Sequence, residues 1–231
     1  LQVRYSASHE QEPEVILAEC VLCIRSLMNT KKGMAALLAT PEATQVFAQG
    51  LHAHEPGVLV QVLLLLSTAA HFSVQGFWNV LDALSFLASS SGEKHRFSII
   101  RGLVTRPKTF TASLVLLNTL LSGSEESAPR MQIVRELEDA KVVDTIKVWW
   151  RKNGDKVVAF DDKAKTQFEN FMEEYNEVAA LISHFRKVGD REIPMMPSGE
   201  KIDTLHMLAP KVLDRVLNLT LSCVSSSNRT D

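Results

Sequence analysis

Cys20-Val21-Leu22-Cys23 places two thiols at the spacing used by redox-active dithiols. That chemistry needs a thiolate stabilised at a helix N-terminus or beside a cation. Here both cysteines fall within one helical pattern with no strand before it, so they are expected to be small buried hydrophobes. Asp161-Asp162 pairs two carboxylates, but the pair stands directly before a long helical run and is expected to cap it rather than exchange protons. The seven histidines, among them His52, His54 and His71, are scattered near loops and read as surface residues. The sequence holds no Gly-rich phosphate loop, metal-spaced His/Cys set or nucleophile elbow. It therefore proposes no catalytic residue, no metal and no cofactor, and the expectation is a protein that is not an enzyme.

Lacking catalytic groups, the chain must act through its surfaces, and composition narrows what those surfaces meet. With 25 basic and 27 acidic residues the net charge is -2, which gives no overall footprint for nucleic acid or an anionic membrane, although a basic face can still exist locally. Cys20, Cys23 and Cys223 are an odd number of thiols and form no complete disulfide framework, so a cytoplasmic location is expected. The apolar run Val58 to Ala70 is interrupted by Gln61 and is shorter than the ~20 residues a membrane span requires.

Apolar positions favour Leu, Ala and Met, and only 10 Gly and 8 Pro punctuate 231 residues, so the fold class is all-α. Helices are predicted over Glu14 to Met28, with Ile16, Leu17, Cys20, Ile24 and Leu27 inward, and over Met34 to Ala39. Thr40-Pro41 then starts a helix reaching about Ala53, followed by Val58 to Ala70, Phe72 to Leu87, Glu93 to Val104 and Thr109 to Leu121. Another runs through Leu137, Asn153-Gly154 is predicted to turn the chain between Lys141–Lys152 and Lys156–Phe160, and a long helix covers Asp162 to about Lys187. The resulting organisation is an extension over 1–13, a helical domain over 14–187, a linker over 188–204, a helix over 205–224 and a tail over 225–231.

Three nearly all-apolar helices share a core pattern: Ile24-Arg25-Ser26-Leu27-Met28, Leu65-Leu66-Ser67-Thr68-Ala69 and Leu116-Leu117-Asn118-Thr119-Leu120. Ser26, Ser67 and Asn118 stand 41 and 51 residues apart, near the ~40–47 residue period of armadillo and HEAT arrays. Units of this kind cannot bury their apolar faces alone and must stack, with one helix of each lining a concave surface. Polar residues in such helices are tolerable if they face that groove, or if they bridge neighbouring helices; for Asn29 and Asn118 both readings stand.

Several segments also resemble a known family. Leu27-Met28-Asn29-Thr30-Lys31-Lys32-Gly33 is similar to the "hMNxxxG" segment of the first armadillo repeat in the diaphanous inhibitory domain of formins. Glu93 to Ile100 resembles the segment opening the third repeat, Leu116 to Leu121 followed by Arg130 to Leu137 resembles the "LINALI … R…hRxEh" pattern, and Val158-Ala159-Phe160-Asp161-Asp162 resembles "hxVFDE". The likeness covers about residues 14–185 in order. It implies a right-handed armadillo superhelix, an α-solenoid, that binds the amphipathic autoregulatory helix of the same protein and is released by a Rho-family GTPase. Carried over, the helix-binding residues are Ser26, Asn29, Leu63, Ser67, Ala70, Leu114, Leu117, Asn118, Leu121 and Val158, with Asn29, Lys31 and Lys32 as GTPase contacts. The resemblance further implies a cytoskeleton-associated protein that reaches actin indirectly through the rest of its chain, and it leaves homodimerisation open. The alternative is an unrelated armadillo or HEAT adaptor whose groove takes a peptide of another protein.

Overall fold

The computed structural model describes residues 12–124 and 126–191, so the expectations for 1–11 and 192–231 lie outside the described residues. The helices below belong to the first of the chain's two units, which runs to Val188, with the last turn of α10 continuing past it. Ten α-helices follow in order: α1 Glu12–Met28, α2 Lys31–Leu38, α3 Pro41–Ala48 with a 3-10 turn Gln49–His52, α4 Pro56–Phe72, α5 Val74–Ser90, α6 Ser98–Leu103, α7 Pro107–Ser122, α8 Ser127–Asp139, α9 Val142–Phe160 and α10 Lys163–Arg191. No strand occurs among the described residues. No helix there is long and apolar enough to cross a membrane.

The breaks follow from local chemistry. The Thr30 hydroxyl accepts from the Gly33 amide at 3.0 Å and starts α2. Glu55 accepts from the Val58 amide at 2.7 Å and starts α4, and Ser73 accepts from the Gly76 amide at 3.0 Å to start α5. Each satisfies a helix-end donor that would otherwise lack a partner. Gly33 is required at the α1–α2 corner because a Cβ there would strike the Leu27 carbonyl oxygen. Before α10, the Asp161 carboxylate accepts from the Lys163 amide at 3.0 Å, the capping role expected of that acidic pair.

The helices stack in register. α4 packs against α1 on one side and α7 on the other, with α3 and α5 behind it. Its Leu59, Val62, Leu63, Leu66 and Ala69 are wholly enclosed. Burying a leucine stabilises by roughly 1.5–3 kcal/mol, so this helix holds the centre of the core. The repeat inferred from sequence reappears as a shared inward face. Leu17, Val21, Ile24 and Met28 on α1 correspond to Val58, Val62, Leu65 and Ala69 on α4, and to Thr109, Ser113, Leu116 and Leu120 on α7. Thr109 is tolerated at 0 % exposure because its hydroxyl donates to the Leu103 carbonyl at 2.7 Å. On the outer layer Arg96 pairs with Glu136 at 2.7 Å and Arg130 with Glu174 at 2.6 Å, tying α8 to its neighbours.

Three expectations are corrected. On α1 the inward residues are Val21 and Met28, flanked by half-buried Leu17 and Ile24, while Ile16, Cys20 and Leu27 are exposed. The cysteines are therefore free and solvent-facing rather than buried. Asn153-Gly154 does not turn the chain, since α9 runs unbroken through it. A glycine inside a helix costs about 1 kcal/mol relative to alanine. Here it lets the Trp150 ring fold across the backbone, where a Cβ would sit 3.1 Å from the indole, and the same ring stacks on Phe168 at 4.4 Å and Phe110 at 5.5 Å. Lastly, α6 is only Ser98–Leu103, because Gly92 at φ +69 closes the preceding helix and the intervening residues form turns.

Candidate partner-binding surface

The inner helices α1, α4 and α7 each present one face that no other described helix covers. On α4 it carries Gly57, Leu64, Thr68 and His71, with Gln61 half-buried beside them; on α7 it carries Lys108 and Ser122 with half-buried Thr111, Val115 and Thr119. Between α1 and α4 lies a cleft lined by Arg25, Asn29, Gln61, Leu64 and Thr68. Arg25 Nη1 donates to Gln61 Oε1 at 3.3 Å across its mouth, and Leu64 is 38 % exposed at its centre. An apolar side chain ringed by amide, hydroxyl and guanidinium groups can seat the apolar stripe of a helix and fix its register by hydrogen bonds.

On α4 and α7 the residues expected to face the groove are one position away from the open face. Leu63, Ser67 and Ala70 on α4 and Leu114, Leu117 and Leu121 on α7 are buried. One residue is 100° of rotation on a helix, and that rotation turns these side chains from the open face into the seam between stacked inner helices. Ser67 is satisfied there by donating to the Leu63 carbonyl at 2.8 Å. Asn118 adopts the bridging role: its amide nitrogen donates to Gln167 O at 3.1 Å and to Gln167 Oε1 at 2.9 Å on α10. Ser26 is exposed and donates to the Leu22 carbonyl at 3.0 Å. Val158 is half-buried and borders a basic recess on α9 rather than the inner groove. Asn29, Lys31 and Lys32 are exposed together at the α1–α2 corner.

The outer side of α1 is a feature that composition concealed. Ile16 is 59 % and Leu27 46 % exposed on this side, with exposed Cys20 and Cys23 between them; Val15 and Leu22 are exposed on a separate face of the helix. Ile16, Cys20, Cys23 and Leu27 correspond in register to Gly57, Gln61, Leu64 and Thr68 of α4, the side turned toward the preceding inner helix. The sequence carries the signal: α1 is apolar on more than one stripe, and only the stripe through Val21 and Met28 is buried among the described helices. Among the described residues no group of three or more His, Cys, Asp or Glu is placed to hold a metal ion.

Comparison with known proteins agrees with this architecture. Residues 1–71 match the family model described as the Diaphanous GTPase-binding Domain. Inverted formin-2 of Xenopus laevis is 27 % identical over 130 residues, covering 55 % of this chain and 12 % of that protein. Protein diaphanous homolog 3 of Mus musculus is 24 % identical over 121 residues, covering 50 % of this chain and 10 % of that protein. The chain thus spans a small part of the length of the curated relatives it matches. Among solved structures, Formin1 of E. histolytica bound to EhRho1-GTPgammaS superposes with a TM-score of 0.62 at 18 % identity, covering 80 % of this chain and 63 % of that one.

Proposed function

We propose that this relative of the formins is a non-enzymatic regulatory module that binds a Rho-family GTPase through its first helices and an autoregulatory helix through its inner groove. The observation that carries the reading is a coincidence of position. The residues matching the GTPase-binding domain model, 1–71, are those that contribute the exposed apolar side of α1 and the Asn29, Lys31 and Lys32 corner. An apolar patch beside exposed cations suits a globular partner better than solvent. The groove between α1, α4 and α7 is then left for an amphipathic helix of the same full-length protein, which GTPase binding displaces. In this reading the module acts in the cytoplasm, on the cytoskeleton, and touches actin only through the rest of its chain.

Titration calorimetry with a Rho GTPase loaded with a non-hydrolysable GTP analogue, and with GDP, tests the first half. Preference for the GTP state, lost in Ile16→Asp and Lys31→Glu while Leu64→Asp retains it, is the expected pattern. Equal affinity for both nucleotide states, or indifference to the α1 substitutions, rejects it. The adaptor alternative is distinguished by the ligand: an unrelated extended peptide that binds the groove while the parent protein's own C-terminal helix does not would favour it.

A further inference from the structure

We propose that the far end of the module, at the corner of α9 and α10, is a docking site for the phosphate-bearing headgroups of an anionic membrane. The chain as a whole is slightly acidic and the turn itself carries Asp161 and Asp162, yet the recess beside it is lined mainly by cations. A recess there is lined by Arg151, Lys152 and Lys156 from α9 and Lys165 from α10, against a single carboxylate, Asp155, with Trp150 at its inner wall. Its volume is about 610 Å³, within the range of sites that hold a small polar ligand. Among the described residues Arg151, Lys152 and Lys156 form no ion pair, and Lys165 makes a single long contact to Glu169 at 3.9 Å. Cations gathered around a concavity without carboxylate partners suit a ligand that is itself densely anionic.

A second observation selects a membrane over a free anion or an acidic peptide. Lys152 also lines an adjoining shallow hollow with Val148 and Trp149, where Asp144 is the one acidic group. Val148 is 49 % exposed. The exposed side of α9 therefore carries an aliphatic side chain and the edge of a half-buried indole, anchored on Phe110 at 4.8 Å, next to a basic recess, a combination suited to a lipid–water interface with headgroups engaged by cations. A soluble phosphate would use the recess and leave the Val148–Trp149 hollow with no role. The site lies on α9 and α10, away from α1 and from the α1–α4 cleft, so it does not depend on the proposed GTPase or helix binding.

The test is co-sedimentation of the full chain with vesicles of phosphatidylcholine alone and with added phosphatidylinositol bisphosphate, with soluble inositol trisphosphate as competitor. Binding confined to the anionic vesicles is expected. It should fall at least about thirtyfold in the Arg151→Glu, Lys152→Glu double variant, about fivefold for each cation removed, and severalfold in Val148→Ser. A Lys94→Glu, Arg135→Glu variant with the same change in net charge should bind like the parent. Circular dichroism identifies any variant that misfolds. An equal loss in that control, no effect of Val148→Ser, or inositol trisphosphate binding as tightly as the vesicles would each overturn the proposal.

Discussion

The side-chain amide of Asn118 on α7 spans the seam to α10, donating at once to the backbone oxygen and to Oε1 of Gln167, at 3.1 Å and 2.9 Å. An asparagine that could have read a ligand instead fastens two inner helices. Asn118→Asp sets a carboxylate against a backbone oxygen that cannot turn away, and leaves a half-buried charge without its donor. A loss of about 1–3 kcal/mol is expected in urea unfolding, where a residue serving only a ligand would leave the midpoint unmoved.

Leu63 and Leu64 are adjacent, yet one is enclosed and the other 38 % exposed. Leu63→Asp buries an unpartnered carboxylate in the seam and should destabilise by more than about 3 kcal/mol. Leu64→Asp should stay within roughly 1 kcal/mol of the parent and instead abolish binding of the autoregulatory helix. Thermal unfolding paired with fluorescence anisotropy of a labelled peptide separates the two effects, and an inverted order would mean that the groove faces the other way.

Glu55 caps α4 from outside the core. Backbone hydrogen bonds from Gly57 and Val58 hold its carboxyl below the ordinary value of 4.5. Because the folded value is depressed, the stabilisation is present above pH 4.5 and fades as pH falls through the lowered folded value. Glu55→Ala should cost about 0.5–2 kcal/mol at neutral pH, as other N-cap losses do, and should unfold with a shallower acid dependence than the parent between pH 5 and pH 3.

Tyr175 gives the opposite sign at the alkaline end. Burial of the phenol, followed by its hydrogen bond to Glu138 at 2.7 Å, pushes its pKa up to about 12 from 10.0. The folded state keeps the proton longer, so the contribution is complete below pH 10 and disappears as pH rises toward 12. Tyr175→Phe should therefore flatten the alkaline limb of the stability profile while preserving the contact with Lys147, which lies 4.8 Å from the ring centroid.

Helix type, order and the repeat were legible because they depend on local periodicity and caps. Phe77, Val80, Leu81, Leu84 and Leu87, spaced at three and four residues within the helix expected over Phe72 to Leu87, are all buried. What periodicity could not set was rotation about each inner helix. α4 and α7 are apolar on nearly every side, so their pattern leaves the open face undetermined to within a residue, and the candidates at Leu63, Ser67 and Ala70 fell on the seam. Asn153-Gly154 misled for a different reason: its turn preference is local, while the stack of Trp150 between Phe110 and Phe168 is set by helices distant in sequence. Cys20 and Cys23 lie on the side of α1 that matches the open Gln61 and Leu64 side of α4, a rotation that the periodicity of α1 alone does not set.

An array whose members touch only adjacent members melts inward from its ends. Among the described helices α1 stands at the edge of the stack, packed on α2 and α4, so it is expected to exchange its amide protons before α4 and α7. A protein seated on Ile16 and Leu27 would cover this open side and slow that exchange in α1 and α2, while α9 and α10 keep their former rates. Binding at this end would then act as a terminal brace, coupling occupancy by the partner to the rigidity of the groove behind it.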